Sequence, residues 1–449
     1  MRKVSTSFRD AIKLMKDCRK LKEIDEQFSP KYEIAKLASL YTSPLLFSHL
    51  RGYEKFQAIA GLYTPHNIKM IFGLRDKKQL LKKILTARGL KMKQEQRIVT
   101  KAPVQEKVVK STQVNLKKLP IPTFYPKDMG PYITSGIVLS KDPQYGVNAS
   151  YHRMSPISSN KLVARVVKRD LWAYLQRARR RGKKLEATVV IGTNVGLAIA
   201  AAMSPPIDES ELELASALGG EIELTQAKTV NLHVPARAEI VLEGEFLPDE
   251  GAQEGPFVDI SGTYDKIREQ PIFRVNCITH RRDPIFHIIV PAGLEHKTLM
   301  GLPKEAEILK AVSEVSMVKA VNLTRSGCGW LDAVISIEKK QDDEATNAGM
   351  AAITGHPSLK RIIVVDPDID VTNMDEVQWA VITRAHPAED YLIVPKAKGS
   401  SLDHTGEQKG KIIIDATIKG TPEEFKKQDI PATKRVNEFI KESNHDEEN

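Results

Sequence analysis

Within six residues, Asn148, Ala149, Ser150, Tyr151, His152 and Arg153 set a neutral oxygen ligand, an aromatic ring and a fixed cation at the edge of a β-rich run. Further along, Glu254, Gly255, Pro256, Phe257, Val258 and Asp259 place two carboxylates five positions apart in a segment shaped by glycine and proline. Between the two, Ser210 and Glu211 open a helix just after Pro205 and Pro206. Amide and carboxylate oxygens suit a hard divalent cation, and an arginine with two carboxylates suits proton transfer beside a charged ligand. Each piece also has a plainer reading. Asn148 fits a turn, Glu211 fits a helix N-terminus favoured by the dipole, and Glu254 with Asp259 fits a solvated loop. Together they read as an oxygen-lined metal site next to an arginine and its carboxylates.

Other chemistries find little support. No GxGxxG follows a strand, and neither a P-loop nor a GxSxG elbow occurs. Cys18, Cys277 and Cys328 stand too far apart for a CxxC pair, so neither a disulfide framework nor a thiolate zinc site is expected.

The elements that must position these residues change character along the chain. From Ser5 to about Glu95 apolar residues recur at helical spacing, as in Phe8, Ile12 and Met15. Prolines at 120 and 122 punctuate a connector that blocks continuous helix. From Ile133 to about His296 short β-rich runs dominate, interrupted by helices near Asp170 to Arg181, Leu197 to Met203 and Ser210 to Leu218. Beyond Gly301, helix and strand alternate, with Ile362 to Val365 a buried strand. The expected class is α/β (α+β): an N-terminal α/β region over 1–115, a central β domain over 116–300, a C-terminal α/β domain over 301–440, and a polar tail over 441–449.

The chain has 449 residues and a net charge of +10. Ten cations lie between Lys161 and Lys184. Zinc-finger spacing, an RRM aromatic box and a helix-turn-helix do not accompany them, so the expectation is surface charge plus a few phosphate contacts, with no nucleic acid bound. Met1 to Lys22 is charged and amphipathic, without the apolar core of a signal peptide, and no run of 18 apolar residues occurs. A cytoplasmic protein with no membrane attachment is expected.

Several short motifs, in order, resemble those of the UbiD family of reversible non-oxidative decarboxylases. They are Ser43 to Phe47 with Arg51, Gly52 and Tyr53; Leu119 to Pro122; Gly130 to Gly136; Asn148 to Arg153; Glu254 to Phe257; Thr383, Arg384, His386 and Pro387; and Asp415 to Thr417. The resemblance implies a central split β-barrel that binds prenylated FMN, a divalent metal (Mn²⁺ or Mg²⁺) and, in many members, a monovalent ion such as K⁺. It implies Asn148 and Glu211 as metal ligands. Tyr151, His152, Arg153, Arg165, Val166, Val167, Lys168, Arg169 and Lys411 would contact the cofactor. Asp259 would be the proton donor, with Glu254 and Arg153 completing the network. Where some relatives carry a third ligand, a histidine, the nearest position here is Asp170, which stays outside the set.

The resemblance further implies a small carboxylic acid substrate, a flavin prenyltransferase as cofactor supplier, and a homo-oligomer built through the C-terminal domain. Among the family's substrates, trans-anhydromevalonate 5-phosphate, giving isopentenyl phosphate and CO₂, is favoured by compactness and basicity. His296 and Lys297 are candidate cations for its phosphate. An aromatic acid is the runner-up, and a basic nucleic-acid-binding or assembly protein is the alternative outside enzymology.

Overall fold

Residues separated by a hundred positions meet because of the strand order in one central sheet. The computed structural model describes residues 6–89, 96–406, 410–425, 430–436 and 439, and the 441–449 tail lies outside them. The central sheet runs Gly146–Tyr151, Ile137–Asp142, Leu185–Ile191, Ile240–Glu254, Arg268–His280, Lys161–Ala164, Met154–Pro156, with Lys107–Lys110 pairing the far end of Arg268–His280. All these pairings are antiparallel. The split-barrel expectation is not met as a closed barrel. The strands at the two ends of the order, Gly146–Tyr151 and Met154–Pro156, follow one another in the chain without pairing, so among the described residues the sheet stays open.

The two longest strands bend where their register slips, between Glu243 and Gly244 and between Phe246 and Gly251. An extra residue on one strand of a pair bends it and increases its twist, which lets one ribbon serve two surfaces. Gly244 lies against the Arg274 carbonyl so closely that a Cβ there would sit 1.9 Å from its oxygen, so only glycine fits the bend. Beyond it the ribbon carries Glu254 at its tip.

The N-terminal region joins this body through a four-stranded sheet of Lys22–Ile24, Leu45–Phe47, Gln57–Ala60 and Ile285–Ile288. The last strand comes from the far side of the central sheet in sequence and pairs parallel with Gln57–Ala60. It is buried on both faces, as parallel strands generally are. Phe286 on it is fully buried in a cluster with Leu45, Phe47 and Leu50.

C-terminal to it, helix Leu294–Ser313 leads into a five-stranded sheet in the order Val318–Leu323, Asp332–Ile337, Arg361–Val365, Lys411–Ala416, Tyr391–Val394. Its three middle strands are parallel, with crossover helices Glu344–Gly355 and Met374–Arg384. None of the described helices is long and apolar enough to cross a membrane.

The basic run is partly absorbed by the fold. Arg177 and Arg181, which lie in and just beyond helix Asp170–Arg180, pair with the buried carboxylate of Asp142 at 3.1 and 3.2 Å. Burial alone would raise the Asp142 pKa, but hydrogen bonds from Arg177, the Gln144 N–H and Arg181 outweigh it and leave the carboxylate below its ordinary value. The expectation of a merely solvated helix end is therefore corrected: an arginine at each of two positions four apart compensates one buried charge.

Because Phe286 packs the N-terminal sheet onto the rest of the chain, Phe286→Ala should cost about 3–5 kcal/mol in urea unfolding. A loss under about 1 kcal/mol would show that this strand does not hold the two parts together.

Candidate active site

Backbone alternation decides which side chains of Gly146–Tyr151 meet. Asn148 and Ser150 share one face of the strand, and His152 continues that row. Ser150 Oγ lies 3.0 Å from both Asn148 Oδ1 and His152 Nε2, and His152 Nδ1 lies 2.9 Å from the Arg165 carbonyl. Burial, and the charges of Arg165 and Arg169, lower the His152 pKa to about 4, so the ring is neutral at pH 7. Its Nδ1 carries the proton, since a carbonyl can only accept. Its bare Nε2 then calls for the single Ser150 hydroxyl proton.

Glu211, the first residue of helix Glu211–Gly219, reaches this row. It accepts hydrogen bonds from Asn148 Nδ2 and the Ala149 N–H, both at 2.9 Å. Burial raises its pKa to about 8, and among the described residues it forms no ion pair with a lysine or arginine. A buried carboxylate of this kind lacks a cation. With the Ser150 proton given to His152, turning the Asn148 amide over lets its Nδ2 donate to the hydroxyl oxygen. That orientation points Oδ1 at Glu211, two oxygens facing one gap. The pair therefore fits a hard cation. Asp170, whose pKa burial also raises, lies close enough to oppose ionisation of Glu211 and lines the same cavity. No group of three or more His, Cys, Asp or Glu side chains forms a ready cage among the described residues.

The second constellation centres on Arg153. Its Nε and Nη2 donate to Glu254 Oε1 and Oε2 at 2.8 and 3.0 Å, Nη1 donates to Asp259 Oδ2 at 2.7 Å, and Nη2 donates to Asp265 Oδ2 at 3.0 Å. One Nη1 hydrogen is left over, because a guanidinium carries five. The plane of the guanidinium also lies over the Phe257 ring, 4.7 Å from its centroid. These carboxylates raise the Arg153 pKa against the desolvation that would lower it.

Local sequence explains the convergence. Glu254 ends its strand, and Gly255, at φ +101°, turns the chain back, a conformation that a side chain would strain. Phe257–Val258 then pairs with Tyr264–Asp265 in register Phe257 to Asp265. This hairpin delivers Asp259 and Asp265 to one guanidinium. Glu254 is pinned further by the Tyr132 hydroxyl at 3.0 Å. Arg268 and Arg165 approach Asp265 at 2.8 and 3.6 Å, so three guanidiniums balance three carboxylates. Glu254 is fully buried, whereas Asp259 keeps 19% of its side chain exposed.

Both constellations border one cavity of about 890 Å³. Tyr151, His152, Arg153, Arg165, Val167, Lys168, Arg169, Glu211 and Asp259 line it, while Asn148 stands behind Glu211 and Glu254 behind Arg153. Two expected contacts are not brought there. Val166 points into the core, with its N–H on Gln270 Oε1 at 2.7 Å. Lys411 begins a buried strand and spends its ammonium on the carbonyls of Pro357 and Leu359 at 2.6 and 2.5 Å, propping a loop that borders the cavity. Of the two candidate phosphate cations, His296 lines the cavity, but Lys297 reaches toward the Arg325 carbonyl at 3.4 Å. Sequence reasoning missed Asp265, Tyr132, Lys304 and His356. Lys304 was within reach, since it lies two helical turns beyond His296 on the same face.

The fold that brings this arginine and its carboxylates to one cavity is that of a carboxy-lyase. More particularly, the chain belongs to the UbiD family. Residues 12–88, 97–294 and 297–416 match the N-terminal, Rift-related and C-terminal domains of 3-octaprenyl-4-hydroxybenzoate carboxy-lyase. The anhydromevalonate phosphate decarboxylase of Methanocaldococcus jannaschii is 38% identical over 91% of this chain and 97% of its own length. That of Methanothermobacter thermautotrophicus is 44% identical over 69% and 74% respectively. Among solved structures, the UbiD-class enzyme HmfF from Pelotomaculum thermopropionicum in complex with FMN superposes with a TM-score of 0.92 at 35% identity, covering 96% of this chain and 98% of that one. An evolved dimeric form of HmfF in complex with prFMN gives 0.88 at 34% identity, covering 95% and 97%.

If Glu211 holds a divalent ion, metal analysis of the purified protein should find one, and Glu211→Ala should weaken metal affinity at least about tenfold. Equal metal content in the variant would remove Glu211 from the site.

Proposed function

We propose that the protein decarboxylates trans-anhydromevalonate 5-phosphate to isopentenyl phosphate with prenylated FMN. The observation that carries the reading is the Arg153 hub: a guanidinium with one free Nη1 hydrogen and one exchangeable carboxylate, bordering a cavity large enough for a flavin and a small acid. The names of the archaeal relatives support the substrate, and the flavin bound in the HmfF structures supports the cofactor.

When bound, the prenylated flavin supplies an electron sink for the carbon that loses CO₂. Asn148 and Glu211 would hold a divalent ion, Mn²⁺ or Mg²⁺ with K⁺ beside it, against the flavin phosphate, with Lys168 and Arg169 adding positive charge. Arg153 would take the substrate carboxylate through Nη1. That carboxylate competes with Asp259 for the same donor, while Glu254, buried and held by two arginine contacts and Tyr132, stays in place. Released from Arg153 and still in touch with solvent, Asp259 is placed to deliver a proton. As the bond to CO₂ breaks, the electron pair left on carbon receives that proton, and Asp259 returns to Arg153. The exchange couples substrate binding to arming of the acid.

A cytoplasmic homo-oligomer, supplied by a flavin prenyltransferase, is the setting we propose. The runner-up substrate is an aromatic acid. The test is CO₂ release by protein co-expressed with such a prenyltransferase. Anhydromevalonate phosphate should turn over, and Asp259→Asn should lower kcat at least about a hundredfold while retaining flavin. Turnover of aromatic acids alone would move the assignment to the runner-up, and unchanged kcat would remove Asp259 from the proton transfer.

A further inference from the structure

Helix Leu294–Ser313 presents His296, Met300 and Lys304 to the cavity at intervals of four residues. His296 stands close enough to Asp259 and Arg153 to feel both charges. Lys304 lies two turns on, about 12 Å along the helix axis. Its surroundings are unusual for a half-buried lysine. Among the described residues Lys304 has no hydrogen bond and no ion pair, although the helix carries carboxylates nearby. Those are engaged elsewhere: Glu305 by Lys77 at 2.6 Å, and Glu307 by Arg88.

The charges that reach Lys304 are those of Arg169 and Arg88, and burial together with them lowers its pKa to about 8. Arg169 also lines the cavity and spends one guanidinium hydrogen on Ser204 Oγ at 3.0 Å. His356 lines it too, tied through Nε2 to the Trp330 carbonyl at 2.9 Å and held neutral, its pKa about 3 from burial and the charge of Lys304. An unpaired ammonium that feels other cations is a cost unless an anion reaches it. A dianion with several acceptor oxygens fits such an ammonium.

We propose that Lys304 is the subsite for the phosphate monoester of the substrate, two helical turns along the cavity wall from His296. The inference rests on the functional reading above and adds its specificity element. On that reading two phosphates enter the cavity, the flavin's and the substrate's. The flavin phosphate is assigned to the Asn148 and Glu211 cation. Lys304 stands on the helix that flanks Asp259, where a short acid must lie if its carboxylate reaches Arg153.

The experiment compares Lys304→Met, Lys304→Arg and unaltered holoenzyme on anhydromevalonate phosphate and on the same acid without its phosphate, together with flavin content. Loss of one charge-assisted contact predicts that Lys304→Met raises KM for the phosphorylated acid about tenfold to a hundredfold and shrinks the preference for it over the dephosphorylated acid by a similar factor. Flavin occupancy should match the unaltered protein, and Lys304→Arg should recover part of the loss. Flavin loss from Lys304→Met, with a normal KM in whatever fraction stays loaded, would assign the lysine to the cofactor phosphate and overturn the subsite. Normal turnover with an unchanged preference would overturn it as well, leaving the functional reading intact. No turnover of the phosphorylated acid by the unaltered holoenzyme would overturn both.

Discussion

The grip of one buried guanidinium on three carboxylates is the interaction on which the site depends. Arg153 is 9% exposed at its side chain, and Glu254 is not exposed at all. A pair so placed gains little net stability over apolar packing, because desolvation offsets most of the attraction, yet removing one partner strands the other charge at a cost of about 3–5 kcal/mol. Such a pair is retained for what it positions. Here the two-pronged contact with Glu254 fixes the guanidinium plane, and that plane fixes where Asp259, or a carboxylate taking its place, can sit.

Much of the architecture serves this geometry. The bulged ribbon of Ile240–Glu254 and Arg268–His280 carries Glu254 to the cavity, and the hairpin that continues it supplies Asp259 and Asp265. Helix Leu294–Ser313 closes one side and leads into the C-terminal sheet, whose Lys398 to Leu402 segment and His356 border the same space. The cavity is thus walled on one side by the strands and hairpin that hold Arg153 and Glu254 in place, and on the other by helix Leu294–Ser313 and the C-terminal layer.

The central residues were legible as candidates because their spacing is local: Asn148 with Arg153, and Glu254 with Asp259, each fall within six residues, and it was their combination, not any one of them, that pointed to a site. The helix at Asp170 was legible too, since its period and its flanking charges agree. The short β-rich runs expected between Ile133 and His296 fall short of the observed Ile240–Glu254, because Gly244, Pro248 and Gly251 look like breakers yet lie within the strand. Asp265 was missed because its role comes from hairpin register, which no spacing rule reports. Lys411 was misplaced for the converse reason: a lysine at a strand start reads as exposed, whereas here loop carbonyls capture its ammonium inside the fold. Arg177 and Arg181 read as surface charge because Asp142, their partner, lies in a distant strand.

The central claim is that Arg153 exchanges Asp259 for the substrate carboxylate while Glu254 stays fixed. A crystal structure of the holoenzyme with a non-reacting saturated analogue of the acid addresses it directly. The account predicts the analogue's carboxylate on Arg153 Nη1, the Asp259 contact of 2.7 Å opened, and both Glu254 contacts intact. An analogue carboxylate bound elsewhere in the cavity, with Asp259 still on Arg153, would contradict it.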